Sequence, residues 1–200
     1  MKNGLKLALV LLLLVSCKDT NQSKAMESVI DEAIGKNEDI NEKYDLLLEE
    51  LGTKTPLTDE QLLQAYPKKL GKLNFDSKEP RITPSETLLG TFGDKTIRME
   101  ILDGGGANAV AAILPLKMLL INKVTSENNN TIRYSKKERN GILTFGTDYD
   151  KNGQGDYQSD LRFLYDNRFY VTLEGEGMNT DELWDAIKLD DFKRFKELNN

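Results

Sequence analysis

Apolar residues in this chain recur first at helical spacing, then at strand spacing, then at helical spacing again. Met26, Val29, Ile30, Ala33, Ile40, Tyr44, Leu47, Leu48 and Leu51 recur every three or four residues. Two columns spaced by seven run through them: Met26, Ala33, Ile40, Leu47 and Ile30, Asn37, Tyr44, Leu51. That spacing predicts a helix over 26–51. Its seam either pairs with a second copy, with Asn37 as a register-setting polar residue, or lies against its own domain. Gly35 is a candidate break. Residues 52–56 end the helix, and Thr58 with Gln61 forms a capping-box pattern for a short helix that Pro67 stops.

Strand patterning takes over near residues 72–75. Ile97, Met99 and Ile101 alternate with Arg98 and Glu100, as a half-buried strand requires. A partner over 85–92 precedes it across Gly93-Asp94, and further strands are expected at 131–134, 142–145, 161–165 and 169–173. Asn140-Gly141 and Asp166-Asn167 are turn pairs that tolerate positive φ, so neighbouring strands run antiparallel. Residues 107–121 interrupt the strands with a run that is apolar on nearly every side. It is too short to span a bilayer, and predicts a buried helix across the sheet with a bend at Pro115. A polar loop at 128–130 follows. Asn179 or Thr180 caps a last helical segment carrying Leu183, Trp184, Ile187, Phe192, Phe195 and Leu198, with a break near Leu189-Asp190. The fold class is therefore α+β: an antiparallel sheet of six to seven strands with a buried central helix and a C-terminal helix, preceded by a helical stalk.

The N-terminus changes the picture. Lys2 and Lys6 precede nine apolar residues at 7–15, less than half of the roughly 20 a membrane-spanning helix needs. The run closes on Leu14-Val15-Ser16-Cys17, which resembles a bacterial lipobox. The resemblance implies that residues 1–16 are removed and that Cys17 becomes an acylated first residue. Two or three acyl chains, at about 0.8 kcal/mol per buried CH₂, hold a protein on a membrane. Lys18 stands where an inner-membrane retention Asp often stands, so the expected address is the outer membrane, on either face. The domain division is signal 1–16, tether and amphipathic helix 17–56, and globular domain 57–200.

Composition narrows the chemistry. The formal charge is −6 and becomes −8 once Lys2 and Lys6 are removed (−6 − 2), which disfavours nucleic acid as a partner. Cys17 is the sole cysteine and the chain has no histidine. Disulfides, thiol catalysis and imidazole general bases are therefore unavailable to the chain. An enzyme built from it would rely on carboxylates, Lys, Tyr or an oxygen-bound metal.

Asp148, Asp150, Asn152 and Asp156, with Gly153, match the first nine positions of a calcium loop, in which oxygen ligands alternate and a glycine permits the sharp turn. Ser159 stands where the bidentate Glu belongs, and the flanks read as strands. These four residues are the candidate calcium ligands; the competing reading is a polar hairpin turn. Gly104, Gly106 and Ala109 satisfy G-x-G-x-x-A, but no βαβ unit follows, so the glycines read as a tight entry into a packed helix.

Across 62–198 the chain is similar to a family of uncharacterised bacterial envelope lipoproteins. The matching segments are Tyr66-Pro67 before Leu70-Gly71-Lys72-Leu73, Ile101-Leu102-Asp103-Gly104-Gly105 before a helix, Arg168-Phe169-Tyr170-Val171, Glu174-Gly175, and the Leu-rich last helix. The strand order also resembles PsbP-like folds. The resemblance implies structural rather than catalytic residues. The expected function is a lipid-anchored, non-enzymatic binding or scaffold module for a protein or envelope partner, with no required cofactor. The alternative is a carboxylate-based enzyme, calcium-assisted or not. Self-association through 26–51 is a further expectation.

Overall fold

A computed structural model describes residues 38–121 and 131–199; Cys17, residues 26–37 of the expected stalk and the loop at 128–130 lie outside them. The described chain begins with helix α1 (Glu38–Thr53) and continues to α2 (Asp59–Ala65). Thr58 accepts from the Gln61 N–H while the Gln61 side chain accepts from the Thr58 N–H, so the capping box forms as expected. A small hairpin follows, β1 (Lys69–Leu70) and β2 (Leu73–Asn74). The main sheet comprises β3 (Arg81–Ile82), β4 (Thr87–Phe92), β5 (Ile97–Asp103), β6 (Ile132–Arg139), β7 (Ile142–Asp150), β8 (Tyr157–Tyr165) and β9 (Phe169–Glu176). Helix α3 (Ala109–Ile121) joins β5 to β6, and α4 (Thr180–Ala186) and α5 (Lys193–Leu198) close the chain.

The seven strands lie in the order β3-β4-β5-β9-β8-β7-β6, every pairing antiparallel. The α+β class and the size of the sheet follow the sequence reading. The last strand, β9, pairs in register with β5, Ile101 facing Val171, and so sits in the middle of the sheet. Asn140-Gly141 and Asp166-Asn167 all take positive φ, the conformation their short hairpins require.

Alternation sorts the sheet into two faces. Leu88, Phe92, Ile97, Met99, Ile101, Leu161, Phe163, Val171 and Leu173 project toward α2, α4 and α5 and build the larger core with Tyr66, Leu183, Phe192 and Phe195. The opposite face is covered by α1 and α3, where Tyr44, Leu47 and Leu51 meet Ala109, Ile113, Leu116, Leu120 and Phe145. At about 1.5–3 kcal/mol for each large apolar side chain removed from water, both faces contribute strongly.

Several elements differ from expectation. Residues 73–74 belong to the separate β1–β2 hairpin, which is joined to the main sheet by the Phe75–Phe92 bridge and by the Gly93 N–H donating to the Asn74 carbonyl. Strand β6 runs to Arg139, well past 134, because Lys136, Lys137 and Glu138 pair along β7 despite lacking an apolar rhythm. Helix α3 starts at 109, after a 3₁₀ turn at Gly106–Asn108, and one side is exposed at Ala111 and Met118. The seam residues Tyr44, Leu47 and Leu51 face the protein's own core, the second of the two placements their spacing allowed, and α1 lies in the same compact unit as the strands.

Candidate functional site

The calcium-loop residues are placed first by strand register. Asp148 and Asp150 lie within β7, not in a loop, because that strand continues to Asp150 against Tyr157. Asp148 is buried, and its carboxylate accepts from the Thr180 N–H (2.6 Å) and from the Thr180 hydroxyl (3.3 Å), with Arg133 3.8 Å away. It thus caps α4, where a helix start favours a negative charge, beside the Asn179–Glu182 capping box. Asp150 instead accepts from the Gly155 and Asn152 N–H groups, and Asn152 accepts from Gln154 N–H. No group of three or more Asp, Glu, His or Cys among the described residues is arranged to hold a metal ion. The loop residues carry turn and cap hydrogen bonds, and Asp148 is drawn to a different element from Asp150.

Two segments that the sequence marked as structural meet in a buried knot. Arg168, at the β8–β9 turn, donates from Nε to Asp103 Oδ1 (2.6 Å) and from Nη2 to Asp103 Oδ2 (2.9 Å). The same Nη2 donates to the Thr55 carbonyl (2.9 Å), while Asp103 also accepts from the Leu57 N–H (2.7 Å) and the Gly105 N–H (3.1 Å). Both residues are under 5% exposed. A bidentate pair satisfied this fully ties the end of β5, the β8–β9 turn and the α1–α2 connection together. Gly104 of the G-x-G-x-x-A pattern and its neighbour Gly105 make room for it. A Cβ on Gly104 would stand 2.6 Å from the Arg168 carbonyl oxygen, and one on Gly105 3.0 Å from Arg168 Nη2. Close backbone approach, not phosphate binding, explains them.

A second pair joins the helices on the other face. Lys117 of α3, almost completely buried, donates to Asp45 of α1 at 2.5 Å. On the open part of the sheet, Arg98 pairs with Glu100 and Glu174, and Arg162 with Asp160. Burial raises the pKa of Asp160, against the opposing effect of Arg162. Asp181, held by Lys137 and Arg139 of β6, is lowered by those hydrogen bonds and charges. The two carboxylates therefore act oppositely on stability. Asp181 stabilises above the unfolded carboxylate pKa of about 3.9, and that contribution is lost as pH falls through its lower folded value. Ionised Asp160 costs stability, and the cost appears as pH rises from about 3.9 through its higher folded value. Carboxyl NMR titration is expected to place Asp160 above and Asp181 below the ordinary range; the reverse order would contradict these environments.

A cleft of about 420 Å³ lies at the end of the sheet where the β6–β7 and β8–β9 turns lie side by side. One wall is α1, through Lys43, Tyr44 and Leu47; the opposite wall is the 3₁₀ turn at Leu189–Phe192 and α5, through Leu189, Asp190, Lys193 and Lys196. Ile142, Leu143 and Leu164 line its apolar part, and Tyr165, Asp166 and Asn167 its rim. Asp166 accepts from Asn199 Nδ2 at 2.8 Å, which holds the C-terminal residues onto the β8–β9 turn. Burial pushes the Tyr44 phenol up to about 12 and raises Tyr165 too, so both remain neutral hydrogen-bond donors at physiological pH. This cleft escaped sequence reasoning because its residues come from four separated segments. Only the helical spacing of Lys193 and Lys196 hinted at a shared face.

Comparison with protein-family models, with curated proteins and with solved structures yields no match to this chain.

Proposed function

We propose that this protein is a lipid-anchored bacterial envelope lipoprotein whose α+β domain works by binding rather than by catalysis. The observation that carries this reading is Leu14-Val15-Ser16-Cys17 behind a lysine-flanked apolar run of signal-peptide length. Acylated Cys17 would hold the protein on the membrane, with the outer membrane as the proposed address. The internal charges support the non-enzymatic half. Asp103 with Arg168, Lys117 with Asp45, and Asp148 with the α4 start each join two elements of the fold. The distinctive ionisable groups thus hold the domain together, and the cleft between α1 and α5 offers a ligand-accessible recess. A protein or envelope component is the proposed partner.

The anchor is tested by growing cells with radiolabelled palmitate. The wild-type chain is expected to take up label and sediment with membranes, and Cys17→Ala to lose both. An unlabelled wild type would overturn the address. For the binding role, a photo-crosslinking residue at position 43, in the cleft wall, is compared with one at 136, outside it. One discrete envelope adduct at 43 and none at 136 is the expected result; turnover of an envelope substrate by the purified chain would transfer the case to the enzyme alternative.

A further inference from the structure

We infer that the cleft between α1 and α5 binds a small anionic amphiphile, one charged head group joined to an apolar body. The inference deepens the binding-module reading and rests on it. Three lysines line the cleft, Lys43 from α1 and Lys193 and Lys196 from α5. Two carboxylates also line it, Asp166 and Asp190, leaving a local formal balance of +1 (3 − 2) in a chain whose total is −6. The sign of the cleft is therefore opposite to that of the protein.

Of the two carboxylates, Asp166 is already engaged by Asn199, whereas Lys43 and Lys193 form no ion pair with any described side chain. Leu47, Leu143, Leu164 and Leu189 supply the apolar part on which the body of such a ligand would rest. Tyr44 and Tyr165 also line the cleft, and their neutral phenols can donate a hydrogen bond to an anionic head group. The volume falls in the range of small-molecule sites, about 300–1,000 Å³, and the mixture of apolar lining with a few convergent polar groups is what such sites use. A bound anion would meet lysines of both α1 and α5.

The test uses the full chain carrying Cys17→Ser, so that no attached acyl group competes. Calorimetric titration with octyl phosphate below its micellar concentration is run beside 1-octanol and inorganic phosphate. Octyl phosphate is expected to bind best. Lys43→Glu and Lys193→Glu are each expected to weaken it about tenfold, while Lys136→Glu, outside the cleft, leaves it unchanged. Unchanged thermal melting of the two cleft variants would separate lost binding from lost folding, since both lysines are exposed. Sedimentation with phosphatidylglycerol vesicles identifies the source. Lysine-dependent pelleting marks a membrane lipid, and octyl phosphate binding without pelleting marks a soluble amphiphile; both support the inference. Absence of binding, equal binding of 1-octanol, or indifference to both cleft lysines would overturn it. Those results leave the Cys17 anchor standing, and an unlabelled Cys17 leaves the cleft result standing, so the two failures are distinguishable.

Discussion

Asp103→Ala is expected to destabilise the protein by about 3–5 kcal/mol, because it strands a buried guanidinium. Arg168→Met is expected to cost a similar amount through the buried carboxylate it leaves behind. The double variant Asp103→Leu with Arg168→Met is informative. Replacing both members of a buried pair by apolar groups is often nearly neutral. Here it should remain destabilising by about 1–3 kcal/mol for each orphaned group, because the Leu57 N–H, the Gly105 N–H and the Thr55 carbonyl each lose a partner. Urea denaturation followed by Trp184 fluorescence measures all three variants. Amide exchange adds a local readout. Leu57 should lose protection in Asp103→Ala even at low urea, because its N–H donates directly to that carboxylate at 2.7 Å. A double variant as stable as wild type would show that the backbone groups find water at no cost, and that the knot is a plain ion pair.

Phe195→Ala is expected to cost about 3–5 kcal/mol, the usual range for emptying an aromatic site in a packed core. Phe195 is fully buried with its ring centroid 4.9 Å from that of Phe169, which immediately follows Arg168. Phe192 makes a matching anchor 5.3 Å from Tyr165. These two rings hold a helix of only 6 residues, too short to be stable alone, against the sheet. They also fix the wall that presents Lys193 and Lys196 to the cleft. Phe195→Leu should cost less than the alanine variant because most of the volume is retained. Thermal or urea melts give the stability difference. A cost below about 1 kcal/mol for Phe195→Ala would mean that α5 repacks or is only loosely attached.

How far this protein could be read from its sequence follows from the range of the interactions involved. Capping boxes, hairpin turns and strand alternation are local, and Thr58 with Gln61, Asn140-Gly141 and Ile97-Met99-Ile101 all behave as their spacing says. Strand β6 was underestimated because an edge strand needs no apolar rhythm when its partner supplies the pairing. The calcium-like spacing was ambiguous for the reverse reason. One-dimensional spacing cannot distinguish a loop that gathers oxygens inward from a strand that sends Asp148 to a distant helix start. Likewise Asp103 and Arg168 stood out within their segments, yet 65 residues separate the partners.

The sequence by itself determined the class of fold, the helix caps and turns, the lack of histidine, and the lipobox-like pattern at Cys17. Each is set by neighbouring residues or by composition, which need no folded context. Only the tertiary structure decided that Tyr44, Leu47 and Leu51 pack against α3, that the Asp103 carboxylate closes onto Arg168, and that lysines from α1 and α5 share one cleft. These depend on placing β9 between β5 and β8, which brings chain segments far apart in sequence to one end of the sheet. Long-range pairing of that kind is governed by collective burial of both sheet faces, and no single stretch of residues encodes it.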